Sequence, residues 1–154
     1  MKTPKIAFVL GSKSDLPALP GGEELLQRFG IAYDVIVASA HRQPRKVATL
    51  AGKAEAKGYE VMIAVAGYAA HLAGAVAAHT TLPVIGVPLD GSPLRGVDSL
   101  YSMVMMPAGV PVATVTVGKA GVKNAAVLAA EILAIKYPRV KKALTEFRRE
   151  LARG

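Results

Sequence analysis

The chain has no cysteine and no tryptophan, and only 5% of its 154 residues are aromatic. Without cysteine it can hold neither a disulfide framework nor a thiolate-ligated metal. With so few aromatics it offers little for single-stranded nucleic acid to stack on. Long apolar runs are missing too, since Gly, Pro, Lys or Asp interrupts each one short of a membrane span, so no membrane association is expected. Met1-Lys2-Thr3-Pro4-Lys5 leads into a short strand with no small-residue cleavage site. A signal peptide is therefore not expected, and the cytoplasm is the anticipated compartment.

What is present points to one packed unit. Hydrophobic residues make up 52% of the chain, which excludes a disordered polymer. Its length suits a single domain, 1–154, with a proper core. Much of the formal charge of +8 lies near the C-terminus, in Lys136, Arg139, Lys141, Lys142, Arg148, Arg149 and Arg153, diluted by Glu146 and Glu150. That pattern is the solvated face of a terminal helix rather than a nucleic-acid arm. A positive field of this kind favours small anions, and phosphate-bearing metabolites rank above DNA or RNA.

Hydrophobic periodicity gives the order of elements. Ile6 to Leu10, Tyr33 to Ala38, Val61 to Ala66, Val84 to Val87 and Pro111 to Val117 read as strands, several of them apolar throughout. Between them lie helical stretches from Gly22 to Phe29, from Pro44 to Gly58, after Gly74 and from Val97 to Met106. Pro20-Gly21-Gly22 is expected to delay the first helix. Leu100, Met103 and Val104 should share one side of the fourth. Ala120 to Ile135, alanine-rich and apolar on nearly every face, should be largely buried, and a last helix begins at Pro138. Five strands alternating with helices predict a three-layer α/β/α fold with a parallel sheet in flavodoxin-like order 2-1-3-4-5.

That order brings three polar loops to one crevice. The first is Gly11-Ser12-Lys13-Ser14-Asp15, a strand-to-helix turn able to hold an anion or simply to cap its helix. Second comes Ser39-Ala40-His41-Arg42, which sets a hydroxyl, an imidazole and a guanidinium at one strand end. The third is the small-residue run Gly67-Tyr68-Ala69-Ala70-His71-Leu72, where a backbone can approach a ligand closely. Other occupants of this fold fit poorly. No acidic pair follows strand one, no GxSxG elbow occurs, and no His/Asp/Glu group has metal-ligand spacing. A Ser-His-Asp triad remains compatible with composition. The parts suit proton transfer on a small phosphorylated substrate.

The segments GSKSD, SAHR, AAHL, GVDSLYSMVMMPAGVPVATV and GKAGVKNAAVLAAEIL, in this order and spacing, resemble the N5-carboxyaminoimidazole ribonucleotide mutases of purine biosynthesis. The likeness runs from about Ile6 to Ile135. It implies decarboxylation of N5-carboxyaminoimidazole ribonucleotide, retention of the CO2 and recarboxylation at C4, with no metal or cofactor, in a homo-octamer with sites at subunit junctions. By the same resemblance His41 is the general acid and base, while Ser12 and Asp15 bind substrate, Asp15 at the ribose hydroxyls. Ser39 and Arg42 hold the phosphate. Gly67, Ala70, His71 and Leu72 wall the imidazole and CO2, with His71 secondary to His41, and His79 is a surface residue with no role. Departures are Tyr68 for a glycine, Ala73 for a proline, Gln43 for a threonine and Met105 for a glutamine. Arg42 separates the chain from related carboxylases, which have lysine there and use aminoimidazole ribonucleotide and CO2 directly. That direct carboxylation is the runner-up reading, and a non-catalytic ribonucleotide-binding homologue is the third.

Overall fold

The computed structural model describes residues 3–154, so Met1 and Lys2, on which the reading of the N-terminus partly rests, lie outside the described residues. Five strands form one all-parallel sheet: β1 (Lys5–Leu10), β2 (Ala32–Val37), β3 (Val61–Ala66), β4 (Val84–Pro88) and β5 (Ala113–Thr114), in the order β2-β1-β3-β4-β5. The expected fold and strand order are those observed. Strands β1, β3 and β4 are buried almost throughout because helices cover both faces, whereas β2 is an edge strand and half exposed.

The two faces differ in bulk. Ile6, Phe8, Leu10, Ile63, Val65, Ile85 and Val87 point toward one core, closed by α1 (Pro20–Arg28), α5 (Lys119–Ala134) and α6 (Pro138–Leu151). Ala7, Val9, Met62 and Ala64 point toward the other, closed by α2 (Pro44–Gly52), α3 (Leu72–Ala77) and Met103 of α4 (Val97–Val104). Small residues on that second face let α3 and α4 lie close. A Cβ on Gly86 would come within 2.8 Å of Val112 and 3.0 Å of the Met103 sulfur. No helix among the described residues is long and apolar enough to cross a membrane.

Several boundaries differ from those read off the sequence. The first helix starts at Pro20, not Gly22, because proline at N1 lacks only an N–H that the helix would leave unpaired anyway. Its glycines serve packing, since a Cβ on Gly22 would stand 2.6 Å from Val122 on α5. A 3₁₀ turn, Lys13–Ala18, precedes it. The second helix ends at Gly52 and continues only as a 3₁₀ turn over Glu55–Lys57, closed by Gly58 at φ +81°. Strand β5 shrinks to two residues, with Val115 N–H donating to Gly86 and Gly118 N–H to Pro88 further along the same edge. In α4, Met103 faces the core but Val104 faces out, so the two do not share a side.

Register sets where function can sit. Leu10 pairs with both Val37 and Val65, and Val65 pairs with Val87. The carboxyl ends of β1 to β4 are therefore level, and four loops leave the sheet along one line.

Candidate active site

Gly11 is the centre of that line. Beside it Ser12 caps the 3₁₀ turn. Its hydroxyl accepts from Ser14 N–H at 3.3 Å and from the Ser14 hydroxyl at 2.9 Å. The Asp15 carboxylate returns the favour, accepting from Ser12 N–H at 2.8 Å. This reciprocal cap closes the turn with its own side chains, the Asp15 carboxylate engaging the Ser12 N–H. Burial pushes the Asp15 carboxyl above its ordinary value, while the Ser12 N–H pulls the other way.

The loop after β2 is wound back on itself. Arg42 N–H donates to the Ser39 hydroxyl at 3.2 Å, and Gln43 N–H to the Ser39 carbonyl at 2.8 Å. The Arg42 guanidinium reaches toward the Gly11 carbonyl at 3.5 Å, a long contact that leaves most of its donors open to solvent. His41 Nε2 and His71 Nδ1 stand 2.8 Å apart, their rings nearly perpendicular at 87°. Strands β2 and β3 are not neighbours, so this imidazole pair arches over the end of β1. One ring must donate and the other accept, so the two cannot both be imidazolium while the bond lasts. Each fixes the other's tautomer.

On the opposite side of Gly11 a cleft of about 430 Å³ opens. Its walls are Ser12, Ser14, Asp15 and Ala18 from the first loop, Ala66, Gly67 and Tyr68 from the third, Leu89, Asp90 and Gly91 from the loop after β4, and Lys119 at the start of α5. Of the residues expected from the sequence, Ser12, Asp15 and Gly67 line this cleft. Ser39, His41, Arg42 and His71 stand beyond Gly11, exposed or half-exposed. Ala70 and Leu72 are buried beneath, Leu72 lying about 4.0 Å from where a Gly11 Cβ would be. Their place is under the loop, not on its surface. His79 is exposed, as expected, and caps its own helix through a 2.8 Å contact to the Ala75 carbonyl.

The sequence reading did not include Leu89, Asp90, Gly91 or Lys119. The signal was available, because the fourth strand ends on the same sheet edge and Gly118-Lys119 repeats the strand-to-helix pattern of the first loop. Tyr68 adopts φ +57°, the left-handed region that a glycine would occupy without cost, and the residue is 59% exposed. Among the described residues no group of three or more His, Asp or Glu side chains could hold a metal ion.

Comparison with known proteins places these features in a family context. The family model described as AIR carboxylase matches residues 5–154. An N5-carboxyaminoimidazole ribonucleotide mutase from Thermotoga maritima is 50% identical over 150 residues, covering 97% of this chain and 86% of the relative. One of the same name from Pseudomonas aeruginosa is 53% identical over 143 residues, 93% of this chain and 88% of the relative. Among solved structures, PurE of Treponema denticola superposes with a TM-score of 0.88 at 28% identity, covering 97% of this chain and 92% of that one.

Proposed function

The chain belongs to the AIR carboxylase family, and from that membership we propose that it acts as an N5-carboxyaminoimidazole ribonucleotide mutase in purine biosynthesis. The reaction moves one carboxyl group within the substrate. The bond from N5 to the carboxylate breaks, CO2 departs, and the nitrogen keeps the electron pair and takes a proton. C4 then attacks the retained CO2 and gives up its own proton. One group able first to donate and then to accept a proton serves both steps.

His41 is that group in this reading. The observation that carries it is the His41–His71 contact at 2.8 Å, made between the loops that leave β2 and β3 at the carboxyl edge of the sheet. As His41 gives up a proton, its partner ring holds the remaining tautomer, making His71 a positioning residue of more weight than the sequence suggested. Asp15 and Ser12 bind the ribose from the first loop, and Arg42 with Ser39 takes the phosphate. The guanidinium's free donors and its fork geometry support that role. Gly67 lies against the base, with Ala70 and Leu72 supporting from below.

The reading carries with it a single catalytic domain over 1–154, a cytoplasmic location and a homo-octamer. Assembly is supported by an exposed apolar stripe on and beside α4: Leu94, Val97, Tyr101, Val104 and Met105, the last 81% exposed. Helix α5, expected to be largely buried, is covered within the subunit by α1, α6 and the sheet.

A paired assay tests the activity, one arm with N5-carboxyaminoimidazole ribonucleotide and one with aminoimidazole ribonucleotide plus bicarbonate. Turnover in the first arm at micromolar substrate is expected, and it should vanish in His41→Asn while ribonucleotide binding persists. Turnover in the second arm alone would replace the mutase by a direct carboxylase. Near-normal rates in His41→Asn would remove His41 from the mechanism.

A further inference from the structure

We propose that Tyr68 contacts substrate directly, its phenol ring stacking on the aminoimidazole ring of the bound ribonucleotide and setting affinity rather than turnover; this rests on the mutase reading above. Three observations lead there. Tyr68 lines the cleft together with Asp15, Gly67 and Lys119. Its backbone sits at φ +57°, a conformation that a side chain bearing Cβ rarely adopts. And the fold obtains no packing in return.

The third point distinguishes a used residue from a tolerated one. Tyr68 is 59% exposed as a residue and belongs to neither core. Among the described residues its hydroxyl has no hydrogen-bond partner, and its ring makes no contact with another ring or cation. Residues held in sparsely populated backbone conformations cluster at active sites and ligand clamps. The other cleft-lining side chains are small, aliphatic, hydroxylic or charged, so Tyr68 supplies its one aromatic face. A ribonucleotide with a flat aminoimidazole ring can use such a face, while the carboxylates and serines take its polar parts. Stacking is much the same in substrate and transition state, so it appears in KM and not in kcat.

Steady-state kinetics with N5-carboxyaminoimidazole ribonucleotide on Tyr68→Phe, Tyr68→Leu and Tyr68→Gly test this, with a thermal melt of each. Phe should keep KM within about twofold; Leu and Gly should raise it about tenfold, the scale of one stacked ring, with kcat nearly unchanged. Tyr68→Gly should also melt at or above wild type, because the strain is released. A purely structural tyrosine would give the reverse pattern, a lower melt and an unchanged KM. Unchanged KM in Tyr68→Gly, or Leu performing as well as Phe, overturns the stacking role while wild-type turnover leaves the mutase reading intact. A wild type that neither turns over nor binds the ribonucleotide overturns both.

Discussion

Gly121→Ala puts two magnitudes against each other at one position. Helix propensity alone favours the change, since alanine in a helix is better than glycine by at most about 1 kcal/mol. Tertiary packing forbids it. A Cβ on Gly121 would stand 1.7 Å from the Thr116 carbonyl oxygen, 2.9 Å from its carbon and 3.0 Å from Val87 Cγ1. A relaxed C···O approach is about 3.3 Å, so helix α5 and the Thr116 backbone must separate by about 1.6 Å. The obstacle is main chain and cannot rotate away. Overpacking of this kind costs about 3 kcal/mol or more. The net expectation is destabilisation by about 2–3 kcal/mol, a fall in Tm of about 4–12 °C for a chain of this size. Circular dichroism melts at one fixed protomer concentration measure it, because Tm depends on concentration wherever chains associate. Gly52→Ala is the control: its nearest contact, the His79 carbonyl, is an ordinary 3.7 Å, and it should be neutral to stabilising. Since α5 begins at Lys119 in the cleft wall, Gly121→Ala should also raise KM. A Gly121→Ala protein that melts at or above wild type refutes the reasoning.

Two further outcomes follow from elsewhere in the fold. The Tyr59 phenol is pushed up to about 12, by burial first and then by its hydrogen bond to Asp34, so the folded state favours its neutral form. That stabilisation is complete below pH 10 and is lost as pH rises through about 12. Tyr59→Phe should therefore show a shallower alkaline unfolding limb between those values, and an unchanged limb in urea melts across that range would contradict the assignment. On α4, the assembly proposed above predicts that Tyr101→Glu lowers the mass measured by light scattering without unfolding the chain. An unaltered mass would move the interface away from this face.

Much of the fold was legible in the chain because burial on both faces is a local property. Apolar runs such as Ile6–Leu10 and Val61–Ala66 have to be inner strands of a parallel sheet whatever lies around them. Alternation with helices then leaves few strand orders, and the observed one was the commonest. His41 could be singled out for a similar reason: a serine, an imidazole and an arginine together at a strand end need no distant partner to be noticed.

Contacts between loops are another matter, because register and helix placement decide them over long sequence separations. Only the level ends of β1 to β4 bring His41 to His71 across Gly11, and Asp90 and Lys119 to Asp15. Pro20-Gly21-Gly22 looked like a helix breaker until α5 appeared against it, where a missing Cβ is what lets Val122 approach. Helix α5 reads as buried without showing what buries it, and its cover, α1 and α6, comes from both ends of the chain. Tyr68 reads as an ordinary substitution in the sequence, and only the structure shows its positive φ and its exposure in the cleft. Sequence determined the layers and one imidazole; the tertiary structure decided which side chains meet, because proximity depends on strand order and register rather than on any one segment.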